Sequence, residues 1–276
     1  MLWLVQIYLL VSFTSVAAAK PSKQEFQSRS MGHLLTSNNH VLQKNHWGLG
    51  TMYAGYGISE HWTVATSPFV LFDFNMFNLQ NRAVWQLTEK SRFGIDLGYY
   101  KSIDPEKSEY SDYCLANSPT TPVEQCTASI ERRVGFKKFK MEAWTIKATY
   151  SKLMTPRYRF GTSMSYFYYL DDERPFSFRM DPANNDKYSL ALTTLHEIKV
   201  ANKGYLNLEA GFWGLNYQHP YYHVGLTYAY QTEKWVFGVG ASSTFNPDFP
   251  KQKVRRFVYY DSRWSLHPEI QIQRFF

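Results

Sequence analysis

The sequence predicts an all-β fold, an antiparallel transmembrane β-barrel of about twelve strands, within a range of about ten to fourteen. Three observations predict it. From Trp47 onward the chain runs in segments of about ten residues in which apolar and polar side chains alternate. The connections between these segments alternate between short and long. Aromatic residues make up 18% of the chain although its mean hydropathy is negative, a combination that two aromatic girdles around a polar interior would produce.

The N-terminus predicts an export signal. Residues 1–19 are apolar except for a few uncharged polar residues, and Ala17-Ala18-Ala19 before Lys20 fits the small-residue cleavage pattern of a secretory signal. A membrane-spanning helix is the alternative, but Gln6 and three hydroxyl residues interrupt a run that should hold about twenty apolar residues. We therefore expect a signal peptide over 1–19 and a single barrel domain over 20–276.

The strands follow from the alternation. The first clear segment covers 47–56, and Tyr56 to His61 predicts a tight turn after it. Ten further alternating segments cover 62–67, 79–87, 93–100, 143–150, 158–168, 188–192, 206–212, 222–230, 235–244 and 264–276. Short connections lie near 57–60, 88–91, 152–156, 199–203 and 231–234, and long ones near 68–78, 103–138, 171–187, 215–220 and 246–262.

Parity adds a strand to this count. Outer-membrane-type barrels have an even strand number, short turns on the periplasmic side and longer loops outside. The eleven segments above are odd in number, so His33–Leu42 is predicted as an additional first strand. We interpret Val254–Tyr260 as an extension within the last outer loop, because a full strand there would invert every loop assignment.

The last segment separates its side chains by face. Trp264, Leu266, Ile270, Ile272 and Phe276 share one face, and His267, Glu269, Gln271 and Gln273 share the other. This pattern, with its terminal Phe, resembles the C-terminal assembly signal of bacterial outer-membrane β-barrels. Ile270, Ile272 and Phe276 carry the resemblance, whereas Arg274 on the same face departs from it. An ordinary edge strand is the alternative.

The resemblance implies export to the periplasm, recognition by the barrel-assembly machinery and residence in the outer membrane among its lipids. A soluble β-sandwich or a lipocalin-like barrel is the structural alternative. Soluble barrels keep apolar side chains inside. Here the apolar face holds most of the aromatic residues and the other face holds Gly, Ser, Thr and scattered charge, which favours an apolar face turned to lipid.

The polar face predicts the lining of a lumen. Both signs of charge occur on it, so a passive channel for small polar solutes is the leading hypothesis, and a closed interior in which polar groups only satisfy one another is the alternative. The predicted lining residues are Gln80, Arg82, Asp96, Lys147, Arg159, Asn207, Glu209, His223, Thr227, Glu269 and Gln271.

The long connections predict further contacts. Cys114 and Cys126 are expected to form a disulfide in an extracellular loop over 103–138, since an exported protein meets an oxidising compartment. Basic clusters in two outer loops predict contact with lipopolysaccharide phosphates, with a solvated face as the alternative. These clusters comprise Lys137, Lys138, Lys251, Lys253, Arg255 and Arg256.

Other functional classes gain less support. The net charge of +7 has no basic recognition helix with it, so no nucleic-acid partner is predicted. No cofactor or metal is predicted, because His219 and His223 have a spacing that converges on a helix rather than on a strand. A lipid hydrolase needs a Ser nucleophile and a His base on the outer face. His267 lies two residues after Ser265, but this order is the reverse of the His-x-Ser arrangement of such enzymes. A structural or adhesive surface barrel, with 103–138 as the contact, is the third hypothesis.

Overall fold

The fold is a closed antiparallel barrel, which confirms the predicted class. The computed structural model describes residues 40–73, 76–103, 140–173, 187–217, 219–245, 247, 253–255, 259–261 and 264–276. Within these ranges twelve strands form the barrel, and two further strands form a small separate sheet. No helix in the described part of the chain has the length and apolar character needed to cross a membrane.

The elements take their bounds from the alternating segments. The barrel strands are β1 (Trp47–Gly50), β2 (Ala54–Ser59), β3 (Trp62–Thr66), β4 (Met76–Thr88), β5 (Ser91–Ser102), β6 (Lys140–Thr155), β7 (Tyr158–Glu173), β8 (Tyr188–Lys199), β9 (Gly204–Trp213), β10 (Tyr221–Gln231), β11 (Trp235–Phe245) and β14 (Trp264–Phe275). The helix α1 covers Pro68–Asp73, and β12 (Lys253–Arg255) pairs with β13 (Tyr259–Asp261). The interpretation of 254–260 as part of an outer loop is confirmed.

Apolar side chains lie outside the barrel and polar ones inside, which is the reverse of the arrangement in a soluble barrel. On β14, Ile270 and Ile272 are 66% and 44% exposed, whereas Gln271 and Gln273 are each 4% exposed. The other barrel strands repeat this pattern, with large apolar residues outside and mostly Ser, Thr, Asn and charged residues inside. Since apolar surface on this scale is unstable in water, the outer face is a lipid-contacting face.

Aromatic contacts on the outer face lie towards the two ends of the strands. At the end with short turns, the paired rings include Trp47 with Tyr56, Trp85 with Phe93, and Trp235 with Phe237. At the opposite end they include Tyr99 with Trp144, Phe212 with Tyr222, and Phe245 with Trp264. These two bands occupy the positions of the interfacial girdles of a membrane barrel.

The predicted strand number of twelve is confirmed, but the prediction assigned the first strands to the wrong residues. The segment 47–56 is two strands, β1 and β2, joined at Thr51-Met52-Tyr53. The turn was hidden because glycines at 48, 50, 55 and 57 leave too few side chains to show a break in the alternation.

The predicted first strand over 33–42 is wrong in its described part. Residues 40–42 are not in a strand, and 33–39 lie outside the described residues. Residues 40–46, which we name the N-terminal strap, fold against the inner wall instead of joining it. Their backbone is held by side-chain and turn contacts, so they take no position in the ladder. Strands β1 and β14 close the barrel, and Phe276 N donates to Trp47 O at 2.9 Å.

Candidate functional site

The residues predicted to line a lumen lie on the inner face of the barrel. Eight of them are buried: Arg82, Asp96, Arg159, Asn207, Glu209, His223, Thr227 and Gln271. Gln80, Lys147 and Glu269 are half-buried at positions of the same face. The structure thus brings eleven residues from seven strands around one interior. Their part in solute passage stays a prediction.

Arg82 and Asp96 form a bidentate ion pair on the inner wall. They occupy directly paired positions of β4 and β5. Arg82 Nε donates to Asp96 Oδ1 at 2.7 Å, and Arg82 Nη2 donates to Asp96 Oδ2 at 3.2 Å. Lys147 lies opposite Asp96 on the next strand, β6. One carboxylate therefore has a cation on the strand at each side, an arrangement that offsets part of its desolvation cost.

A second set of contacts lines the other side of the interior. Arg159 Nη1 lies 3.7 Å from Glu197 Oε2 across the β7–β8 pair. His223 Nε2 lies 3.2 Å from Glu209 Oε1, and its Nδ1 lies 3.2 Å from Thr244 Oγ1. Each charged group thus has a partner of opposite charge or a hydrogen-bonding neighbour, as buried ionisable groups require.

The charges divide into two arcs around the barrel. The basic arc consists of Arg82, Lys147 and Arg159 on β4, β6 and β7, with Asp96 as the acidic member within it. The acidic arc consists of Glu197, Glu209 and Glu269 on β8, β9 and β14. Lys147 on β6 and Glu209 on β9 face the same interior although two strands stand between them. The two arcs therefore act on the same interior volume.

The N-terminal strap is fixed to the inner wall by backbone contacts. Leu42 N donates to Thr63 Oγ1 at 2.9 Å, and His40 O accepts from Arg82 Nη1 at 3.1 Å. Asn45, with φ 62°, donates from its backbone N to Gly57 O at 2.8 Å. A Cβ at Gly57 would collide with the Gln43 carbonyl, so glycine makes room for the strap.

The strap also carries an apolar side chain into the interior. Leu42 is 2% exposed and belongs to an apolar cluster on the inner face. The other members are Tyr53, Ala65, Tyr205, Ala229, Val236 and Phe275. Four of them lie at the strand ends with short turns, which is the periplasmic end of such a barrel. The cluster, which we name the periplasmic cluster, narrows the lumen at this end.

Aromatic side chains narrow the opposite, extracellular end. Phe167 and Trp213 face inward on β7 and β9, and their rings stack with centroids 4.4 Å apart. Tyr169, which is 3% exposed, has its hydroxyl 2.9 Å from Ser189 Oγ. The inner face is therefore polar along its middle and more apolar at both ends.

The strap and both end clusters were missed from sequence. The only available signal for the strap was Leu42, an apolar residue within a polar stretch that precedes two close glycines. Phe167, Trp213 and Phe275 each break the polar side of an alternating segment. Such breaks indicate that the inner wall contacts another part of the protein.

Several predicted residues cannot be located in the fold. Cys114, Cys126, Lys137, Lys138, Lys251 and Arg256 lie outside the described residues, and for Lys253, Arg255, Ser265 and His267 only the backbone is described. Ile270, Ile272 and Phe276 lie on the outer face of β14. In the part of the chain that is described, no three His, Cys, Asp or Glu residues converge as metal ligands would.

Comparison with known proteins gives a likeness of fold only. No protein-family model and no curated protein matches the chain. Several solved structures are similar to it, including the three that follow. The outer-membrane channel DcaP of Acinetobacter baumannii is 9% identical with a TM-score of 0.32, and the match covers 81% of this chain and 60% of that one. A Pseudomonas aeruginosa FadL homologue is 10% identical with a TM-score of 0.36, covering 84% and 67%. The CymD monoaromatic hydrocarbon channel is 9% identical with a TM-score of 0.38, covering 85% and 87%.

These similarities are too low to carry an argument about substrate. The assignment rests on the molecule itself: a closed barrel of twelve strands, an apolar outer face between aromatic bands, and a polar inner face. An even strand number with both ends of the barrel sheet on the side of the short turns is characteristic of bacterial outer-membrane barrels. The chain has the architecture of a bacterial outer-membrane β-barrel.

Proposed function

We propose that the protein is a passive channel for small polar solutes across the outer membrane. The observation that carries the proposal is the polar middle of the inner wall, which extends from Ser189 and Thr145 on the extracellular side to Gln271 and Gln273 on the periplasmic side. Polar groups in a membrane interior are costly unless they contact water or one another. A hydrated path along this wall accounts for their number. The proposal assigns no catalytic residue.

The N-terminal strap sets the size of this path. Leu42 fills part of the periplasmic cluster, and the strap backbone occupies the space beside Thr63 and Arg82. Solute passage therefore depends on how far the strap moves away from the inner wall. We expect small conductance steps while it is in place and larger ones after its displacement.

Planar-bilayer recording tests the channel. Wild-type protein is compared with Leu42→Ser, which weakens the apolar contact of the strap, and with Leu215→Ser as the control, since Leu215 is 40% exposed at the extracellular side. Larger steps are expected for Leu42→Ser alone. If the bilayer shows no conductance after verified insertion of the wild-type and Leu42→Ser proteins, the channel proposal is refuted.

Liposome uptake tests the solute class. The polar wall and the two charged arcs favour small sugars and amino acids over hydrocarbons, because an apolar solute gains nothing from displacing water around buried charges. We expect vesicles that contain the Leu42→Ser protein to swell in small sugars. Faster uptake of a monoaromatic hydrocarbon than of any sugar, relative to protein-free vesicles, would contradict the polar class.

A further inference from the structure

The barrel wall is lower on one side than elsewhere. Strands β1, β2 and β3 have 4, 6 and 5 residues. The strands that flank them, β14 and β4, have 12 and 13 residues. The three short strands therefore span only the periplasmic half of the wall between β14 and β4.

Among the described strands, the extracellular half of β14 has a ladder partner on one side only. Residues 264–274 pair with β11, whereas β1 pairs only with 273–275. No other described strand pairs with 264–269, a stretch of about 20 Å at 3.3 Å per residue. On the far side, β3 pairs with β4 at 80–83 and leaves 76–79 without a strand neighbour from β3. We name the space between these two edges the wall window.

Thr51 forms the lower border of the wall window. Its backbone N donates to Ile272 O at 3.0 Å, and its hydroxyl donates to Ile270 O at 3.1 Å. Its carbonyl accepts from Phe69 N at 3.0 Å, which ties the start of α1 to the β1–β2 turn. The ladder between the short strands and β14 thus ends in a defined turn.

Helix α1 does not replace the missing strands. Val70 packs with Met76, with Phe69 and Tyr100 against them, and both Met76 and Tyr100 occupy inner-face positions of β4 and β5. The helix therefore leans over the lumen from the top of β3. Its Phe72 is 80% exposed, so α1 presents an apolar side chain beside the wall window.

Pro268 protects the free edge of β14. Ile270 and Ile272 direct their carbonyls toward Thr51, and backbone direction repeats every second residue, so the nitrogen of Pro268 also points into the wall window. Proline has no N–H to offer there. Proline on an edge strand is a recognised means of preventing the addition of another strand.

The wall window lies at lipid depth and opens onto polar side chains. Its upper limit on β14 is Trp264, which packs on Phe245 in the extracellular aromatic band. Behind it, the hydroxyl of Ser242 donates to Glu269 at 3.2 Å on the inner face. A molecule in this opening would meet hydrocarbon outside and hydrogen-bond acceptors inside.

We propose that the wall window admits a single amphiphile from the outer leaflet, with its acyl chain in the membrane and its headgroup in the lumen. The carbonyl groups on the β14 edge that pairs with no described strand and the carboxylate of Glu269 are acceptors, so the headgroup carries hydroxyl or amine donors. This lateral site goes beyond the axial passage of polar solutes and does not require it. A second copy of the chain is the competing occupant, and Pro268 disfavours its strand.

Cysteine labelling tests the site. In a Cys114→Ser, Cys126→Ser background, Glu269→Cys and Ser242→Cys report on the inner side of the wall window. Thr149→Cys is the control, because Thr149 faces inward on β6, diametrically opposite β14 in the barrel. Folded variants are identified by heat-modifiable migration and are then incubated with a phospholipid that carries a maleimide on its headgroup. The rate of cysteine labelling by this lipid is divided by the rate of labelling by a water-soluble maleimide.

The normalised rate at either window position should exceed that at Thr149 by about tenfold. A lipid that carries the maleimide at the end of its acyl chain should show no such preference. Equal normalised rates for the headgroup reagent at all three positions would overturn the proposal. Trp264→Cys protein that oxidises to a disulfide-linked dimer in the membrane would assign the wall window to a second copy instead. The channel recordings are independent of both outcomes.

Discussion

Arg82 joins the N-terminal strap to the ion pair of the barrel wall. Two of its nitrogens donate to the carboxylate of Asp96, and the third donates to the backbone carbonyl of His40. One guanidinium therefore stabilises both the wall between β4 and β5 and the position of the strap. Disturbing this side chain should change stability and conductance together.

Replacement of Arg82 by Met should destabilise the barrel by about 2 to 4 kcal/mol, because Asp96 is left buried without its main partner. Urea unfolding in lipid vesicles measures the change. Arg157→Met in the exposed β6–β7 turn is the control and should change stability by less than about 0.5 kcal/mol. The double variant Arg82→Met, Asp96→Asn should recover part of the loss; no recovery would contradict the assigned role of the pair.

Gly57→Val should displace the strap while leaving the barrel closed. The new side chain occupies the position of the Gln43 carbonyl, so we expect larger conductance steps and faster proteolysis within 40–46. Gly161→Ala is the control, since the nearest atom to its Cβ would lie at an ordinary contact of 3.7 Å. Unchanged conductance in correctly folded Gly57→Val protein would show that the strap does not limit passage.

Glu209→Gln should shift ion selectivity toward anions. The substitution removes one charge of the acidic arc and keeps the shape of the side chain, so the cation-to-anion permeability ratio should fall about two- to threefold at low salt. Reversal potentials across a salt gradient measure the ratio. Lys147→Met should move it in the opposite direction, and Glu233→Gln in the exposed β10–β11 turn should leave it unchanged. Equal shifts in Glu209→Gln and Glu233→Gln would mean that only surface potential was measured.

Thr51→Val should weaken the closure of the barrel by about 1 to 3 kcal/mol. The hydroxyl of Thr51 bridges Ile270 O and Ile272 N, next to a seam in which β1 and β14 pair at only three residues. We expect heat-modifiable migration to convert to the unfolded form at a lower temperature. Thr194→Val removes a similar bond to Ala210 O within a long ladder and should cost less. An equal loss of stability in both variants would show that the β1–β14 seam is no weaker than the rest of the barrel.

Phe276→Ala should reduce assembly into the outer membrane. Phe276 is 53% exposed on the outer face, and Arg274 beside it lies over the rings of Phe276 and Trp235 at 4.5 and 5.3 Å. These contacts account for an arginine on an apolar face, since its charge is placed against aromatic rings at the membrane boundary. Cell-fractionation immunoblots measure the assembled protein. Phe72→Ala is the control, and an equal reduction in both would argue against a C-terminal signal.

Strand β14 shows how far the sequence alone could go. The alternation from Ile270 to Gln273 predicted which side chains face lipid and which face the interior, and the burial of those residues follows it. The sides of the turns also followed from connection lengths, whereas the even strand number was taken from the parity rule for such barrels. These features are local, because the period of a strand and the chemistry of a turn depend on neighbouring residues.

The break between β1 and β2, the position of the strap and the arrangement of the charges required the tertiary structure. Gly50 and Gly57 have no side chains and so interrupt the alternation that marks a strand. Glycine is required there because a Cβ at Gly50 would collide with the Ile272 carbonyl, and a Cβ at Gly57 with the Gln43 carbonyl. Ile272 is distant from Gly50 in the chain, and Gln43 is separated from Gly57 by a turn. Likewise, Arg82 meets His40 only because the barrel closes around the strap. The sequence by itself determined the fold class and the two faces of its strands, since both are periodic. Which groups meet across the lumen, and where the short strands β1 to β3 leave the edge of β14 without a described strand neighbour, was decided by strand pairing over long distances, which periodicity does not encode.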